Sequence, residues 1–289
     1  MKDFVIYTDS TCDLSEEMIE KLGVKVIPME FTVGDKTYMN YSDEREISAR
    51  EFYDKMRGGD MAVTSLINMD RYMTVFEPEL EAGMDVLYLC FSSGLSGSYN
   101  NALLAIEELR EKYPKRKLEV VDTRAASLGE GLFVYNTVME NRGKSLLETA
   151  AWANENRDKN AHWFTVEDLV YLKRGGRVSA AAALVGGILN IKPVLHVDDE
   201  GHLIPMMKVR GRKTSLDAMV TEMEKTVINP EEQMIFIGHG DCLADAEYVR
   251  DAVKAKWNIK DSYINNIGPV IGAHSGPGTL ALFFMGTKK

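Results

Sequence analysis

The residues best suited to chemistry fall in Ser92-Ser93-Gly94-Leu95-Ser96-Gly97-Ser98, which follows the apolar run Val86-Leu87-Tyr88-Leu89-Cys90-Phe91. A helical pattern over residues 99–112 begins at once. A strand that feeds a loop of small hydroxyl residues and opens a helix turns unpaired backbone N–H groups and serine hydroxyls toward one point. An anion is favoured there.

Two further places could serve the same anion. His274 stands among Gly272, Gly276 and Gly278, a density that lets backbone approach a ligand closely, although a plain turn with an incidental histidine has the same composition. Arg174, Arg177, Arg210, Arg212 and Lys213 concentrate positive charge. Most such clusters are solvated surface, but Arg210-Gly211-Arg212 ends a predicted strand, and guanidinium groups suit carboxylate or phosphate.

Other chemistries fit less well. In Gly94-Leu95-Ser96-Gly97-Ser98 a glycine follows the serine directly, which is not nucleophile-elbow spacing, and no His and acid fall in a clear triad order. A small hydrolase or transferase using Ser96 or Cys242 is therefore the alternative reading. His239-Gly240-Asp241-Cys242 could be a metal or Cys–His site or a polar strand-end loop. Gly143-Lys144-Ser145 resembles the end of a P-loop, but Val138 stands where the first glycine belongs. No G-x-G-x-x-G follows a strand either, so no cofactor and no metal is expected.

Composition narrows the partners. The 289 residues are 45% apolar with a net charge of −10, which suits a globular α/β protein and argues against nucleic acid or an anionic membrane as main partner. No apolar run approaches the roughly 20 residues that cross a bilayer. Met1-Lys2-Asp3 leads straight into a strand pattern rather than a signal peptide, and the cytoplasm is the default expectation. The 3 cysteines have neither disulfide-framework nor zinc spacing, and Cys90 reads as buried strand.

The elements that must position these residues alternate through residues 1–160: strand, polar turn and helix from Phe4, a hairpin about Gly34-Asp35, helices after Ser48 and Asp70, and strands at 86–91 and 118–121. Capping boxes are predicted at Asp13/Glu16, Ser48/Glu51 and Ser145/Glu148, Pro78 should kink or shorten its helix, and Thr64 falls in a loop. A helix is expected over 125–140. This is the pattern of a parallel sheet flanked by helices, with ligands bound beyond the carboxyl ends of the strands.

Residues 161–289 read as a mostly antiparallel α/β domain. It comprises a helix over 178–189, a hairpin about Asp198-Asp199-Glu200-Gly201, two further helices, and a closing glycine-rich turn before the strand 280–285.

Taken together, Asp9-Ser10-Thr11-Cys12-Asp13, Thr64-Ser65, the Ser92 to Asn100 segment, Val121-Asp122-Thr123, Lys173-Arg174-Gly175-Gly176-Arg177-Val178-Ser179, Lys208-Val209-Arg210-Gly211 and Gly276-Pro277-Gly278-Thr279 resemble the DegV family, in that family's order and over essentially the whole chain. The resemblance implies a two-domain, non-catalytic carrier of a long-chain fatty acid. Some such proteins are the acyl-binding subunit of bacterial fatty acid kinase, whose separate catalytic subunit makes an acyl phosphate for phospholipid synthesis; transient membrane contact goes with that role. It further implies that Thr64, Ser96 and backbone near Gly97 hold the carboxylate, with His274 beside it and Arg210 bordering the opening. Leu66-Ile67-Asn68 departs from the Gln and Pro usual after the Thr-Ser pair, which bears on acyl-chain preference.

Overall fold

Apolar runs as continuous as 86–91 need cover on both faces, and the computed structural model, which describes residues 4–178 and 190–289, gives them that cover. The chain opens with β1 (Phe4–Asp9), a 3-10 turn (Ser10–Cys12), α1 (Glu16–Leu22) and β2 (Lys25–Ile27). Next come the hairpin β3 (Met29–Val33) and β4 (Lys36–Asn40), then α2 (Ala49–Arg57), β5 (Ala62–Thr64) and α3 (Met69–Glu81). β6 (Asp85–Cys90), α4 (Ser98–Lys112), β7 (Leu118–Asp122), α5 (Leu128–Glu140) and α6 (Leu146–Asn156) follow.

The remainder runs β8 (Asn160–Thr165), α7 (Val170–Gly175), β9 (Ile191–Val197), β10 (Leu203–Arg210) and α8 (Arg212–Thr226). It ends with β11 (Met234–His239), α9 (Leu243–Lys256), β12 (Asp261–Asn266), α10 (Pro269–Ser275) and β13 (Leu280–Met285). The helix expected over 178–189 lies almost wholly outside the described residues.

The fold is mixed α/β. A parallel sheet has the order β2-β1-β6-β7, and a six-stranded sheet, β10-β9-β8-β13-β11-β12, is antiparallel except between β11 and β12. The hairpin expected at Asp198 to Gly201 joins β9 and β10 as predicted. A small antiparallel sheet, β4-β3-β5, sets Thr64 opposite Phe31. Thr64 is thus the last residue of a strand rather than a loop residue, and its backbone is held by a ladder.

Helices α3 and α4 cover one face of the parallel sheet, while α5 and α6 lie on the other. One apolar cluster joins Phe4, Leu87 and Val121 to Phe164, Phe236 and Phe283 of the six-stranded sheet, with α5 between them. Helix α5 is buried nearly all round, as a helix sandwiched between two sheets must be. Gly129 and Gly131 permit that approach. A Cβ on Gly129 would lie 2.3 Å from the His162 ring, and one on Gly131 would lie 2.6 Å from the Cys12 carbonyl oxygen.

Several local expectations need correction. Ser15, not Asp13, caps α1, because Asp13 is in the left-handed region (φ 54°) with its side chain turned into the interior. Asn68 rather than Asp70 caps α3, accepting from the Arg71 N–H at 2.9 Å, and Pro78 sits in the last turn of a helix that runs on to Glu81. Helix α5 starts at Leu128 rather than 125, since Arg124 and Ser127 have φ of 51° and 54°. The glycine-rich closing turn is in fact helix α10: Pro269 at its first turn presets φ, and Val270 and Ala273 are buried beneath it. The Ser145/Glu148 capping box is present in full.

Gly131→Ala should destabilise the fold by about 1–3 kcal/mol through overpacking against backbone, although alanine is the better helix former. A thermal melt showing an unchanged or raised midpoint would contradict the close approach of α5 to the Ser10–Cys12 turn.

Candidate functional site

Beyond the carboxyl ends of β1, β6 and β7 the structure holds a cavity of about 530 Å³, within the range of about 300–1,000 Å³ typical of small-molecule sites. Its body is apolar: Met29, Phe91, Phe164, Leu172, Val197, Leu203, Val270, Ala281 and Phe283 line it. Polar groups gather at one side, where Thr64, Ser96, Gly97 and His274 converge. The geometry thus brings together four of the five residues singled out in the sequence.

Each is held by identifiable bonds. Thr64 Oγ1 lies 2.8 Å from His274 Nε2. With the ring proton on Nε2, the imidazole donates to Thr64, whose own hydroxyl hydrogen is then free for an incoming acceptor. Burial, aided by the like charge of Arg177, holds His274 down to about 4, so the ring is neutral at pH 7.

Ser96 Oγ is 2.9 Å from Ser98 Oγ and accepts from the Ser98 N–H at 3.2 Å. Ser98 Oγ in turn accepts from the Ile67 N–H at 3.1 Å, and Asn101 Nδ2 donates to the Ile67 carbonyl at 2.9 Å. These bonds strap the segment after β5 onto the start of α4, setting Thr64 beside Ser96. The Gly97 N–H has no partner among the described residues, so it is available to an anion at the helix start.

The other serines of the loop are structural. Ser92 Oγ donates to the Gly201 carbonyl at 2.9 Å, tying the loop to the turn between β9 and β10. Ser93 is bound to Asp122 through both its N–H (3.1 Å) and its hydroxyl (2.6 Å).

Arg210 is the exception. It is exposed at the end of β10 and is not among the described residues that line the cavity. Arg177 is the one charged side chain among them, anchored by Nε to the Leu95 carbonyl at 3.4 Å and by Nη1 to the Gly175 carbonyl at 2.5 Å. In the sequence Arg177 is one of a basic cluster, with nothing local to set it apart from Arg210. Choosing needed α7, whose last turn carries the chain back over the Ser/Gly loop.

Below the mouth lies a set of buried carboxyl groups, of which the sequence suggested a role only for Asp13, as a helix cap. Asp9 accepts from the Tyr88 hydroxyl at 2.7 Å and the Phe91 N–H at 3.2 Å. Asp13 accepts from Ser127 Oγ at 2.5 Å and the Gly268 N–H at 2.9 Å, and burial pushes it up to about 8. Glu130 of α5 accepts from Thr8 Oγ1 at 2.7 Å and lies 2.7 Å from Thr11 Oγ1, which also meets Asp9 at 2.5 Å. Burial raises Glu130 well above the carboxylate range, and the charge of nearby Asp9 adds to the rise.

Among the described residues neither hydrolase candidate is hydrogen-bonded through its nucleophilic atom to a general base. Ser96 pairs with Ser98 and not with an imidazole. Burial pushes the Cys242 thiol up to about 12, and its Sγ donates to the Thr279 carbonyl at 3.3 Å. The His239 to Cys242 segment forms a polar loop in which the Cys242 N–H points to His239 Nδ1 at 3.4 Å. Among the described residues no group of three or more His, Cys, Asp or Glu could hold a metal, and no helix is long and apolar enough to cross a membrane.

Comparison with known proteins agrees with this architecture. A family model described as "Uncharacterised protein, DegV family" matches residues 3–287. A DegV domain-containing protein of Clostridium perfringens is 46% identical over 290 residues, covering 100% of this chain and 99% of that one. Among solved structures, a DegV family protein of Thermus thermophilus, reported for its fatty acid binding, is 31% identical with a TM-score of 0.85, over 98% of this chain and 99% of its own. A DegV lipid-binding protein of Thermotoga maritima is 28% identical with a TM-score of 0.86, over 100% of both chains. On the match of residues 3–287 and these full-length likenesses, the chain belongs to the DegV family.

Proposed function

We propose that this protein binds a long-chain fatty acid, carboxylate at the Thr64, Ser96 and Gly97 mouth and hydrocarbon in the apolar body, and presents the head group to a separate kinase subunit for acyl-phosphate formation. The observation that carries the reading is the division of one cavity into a largely apolar body and a small mouth of neutral donors beside Arg177, the one charged side chain among the described lining residues. Fatty acid binding by the Thermus thermophilus relative supports the same ligand class.

The energetics divide in the same way. Each buried CH₂ contributes roughly 0.8 kcal/mol, so the hydrocarbon supplies most of the affinity and the donors set orientation. Thr64 gives its hydroxyl hydrogen to one carboxylate oxygen while His274 holds Thr64 in place. Ser96 and the Gly97 N–H meet the other oxygen. Arg177, exposed at the rim, offsets the carboxylate's charge, and a phosphate added there would meet the same guanidinium. Arg210, exposed on β10, is left to the outer surface facing a partner.

The rim favours a docking partner. Met61, Val63 and Leu66 are 54%, 57% and 50% exposed on and beside β5, next to the mouth. Leu66 stands where the family's usual residues would be more polar, and its side chain lines the entrance.

Protein purified from a bacterial host should release a long-chain fatty acid on solvent extraction; native mass spectrometry that finds only empty protein under lipid-retaining conditions would sink the reading. Replacing Thr64 and Ser96 together by alanine should weaken fatty acid binding by a few kcal/mol, as hydrogen bonds to a charged group contribute about 1.5–3 kcal/mol each. Equal affinity of double mutant and wild type in a calorimetric titration would remove both side chains from the site.

A further inference from the structure

Away from the mouth, the apolar lining is interrupted by one imidazole. His162 is 1% exposed and lines the cavity, and among the described residues neither ring nitrogen has a hydrogen-bond partner in good geometry, the Asn160 backbone giving only a weak contact. A neutral imidazole carries one donor and one acceptor, and leaving both unpaired out of contact with water is costly. An unsubstituted hydrocarbon chain beside the ring would leave that cost in place.

The ring has little freedom to find a protein partner instead. It packs edge-on to Phe283, with centroids 5.4 Å apart, and the backbone of Gly129 closes over it from α5. The site also lies well inside the cavity. β13 leaves the mouth after Thr279 and runs inward past Ala281 to Phe283, with Leu280 opposite Thr165 and Phe283 opposite His162. Those three steps along β8 place His162 roughly 10 Å farther in than Thr165.

A second unmet group stands beside it. Asn160, two residues away on the same face of β8, donates through Nδ2 to the Gly129 carbonyl at 2.8 Å, while its buried Oδ1 has no partner among the described residues.

We propose that this chain selects fatty acids bearing an oxygen substituent on the hydrocarbon portion, most simply a hydroxyl, which pairs with His162 inside the cavity. The inference rests on the fatty acid reading above and names the substrate class within it. A hydroxyl both donates and accepts, so it pairs with the ring nitrogen it meets in either tautomer. A pocket built to bond a hydroxyl discriminates strongly against the analogue that lacks one, because its own polar groups are then stranded.

The test uses the delipidated full chain, titrated with stearic acid and with hydroxystearic acids carrying the hydroxyl at successive carbons. At least one isomer should bind about tenfold more tightly than stearic acid or better. His162→Leu should reverse that order, gaining stearic acid and losing the hydroxylated isomer, whereas His162→Gln, which keeps a donor and an acceptor, should retain part of the preference. Wild-type protein that binds stearic acid at least as tightly as every isomer overturns this inference alone, whether or not either variant folds. Protein that takes up none of the acids overturns the fatty acid reading together with it.

Discussion

Three carboxyl groups buried beneath the cavity hold its walls in register. Asp9 ends β1 and receives the Phe91 N–H, so the Ser/Gly loop must leave β6 at a set height. Asp13 receives the Gly268 N–H at the entry to α10 and the Ser127 hydroxyl beside the cavity, which ties the helix carrying His274 to the first turn of the chain. Glu130 brings α5 into the same network through Thr8 and Thr11. Breaking one partner of such a network strands the others away from water. The mouth geometry therefore depends on side chains that do not themselves line the cavity.

The loop between β6 and α4 divides its labour accordingly. Ser92, Ser93 and Ser98 bind the β9–β10 turn, Asp122 and the Ile67 backbone, and so fix the loop from three sides. Ser96 and the Gly97 N–H are what remain directed at the cavity. A hydroxyl-rich loop that first suggests a generic anion cradle thus has one or two groups left to offer, enough for the single carboxylate of the proposed ligand. His274 is likewise kept neutral by burial, so it orients Thr64 without adding charge to the mouth.

Periodicity and capping signals in the chain determined the class of fold. Alternating strand and helix patterns through the first half, the β9–β10 hairpin and the Ser145/Glu148 box all depend on local geometry, and all three are present. Thr64, Ser96, Gly97 and His274 could be grouped because the order of short motifs along the chain resembles that of the DegV family, and the structure sets all four around one cavity. Where local signals competed, tertiary contacts decided: Asp13 has the composition of a cap but serves a buried network, and 268–276 has the composition of a turn but folds as a helix over Phe52 and Tyr53.

What only the tertiary structure decided is which distant side chains meet. Arg177 rather than Arg210 lines the mouth, because α7 returns the chain over the Ser/Gly loop while β10 ends at the surface. His162 reads in sequence as one apolar-strand histidine among five, and nothing local marks it. Its meaning comes from the pairing of β8 with β13 and from the glycine of α5 above it, contacts between residues more than 30 positions apart along the chain. Local patterns report the elements and the chemistry each carries; the surroundings of a buried polar group are a property of the packing, and that packing is where this site's distinctive features arise.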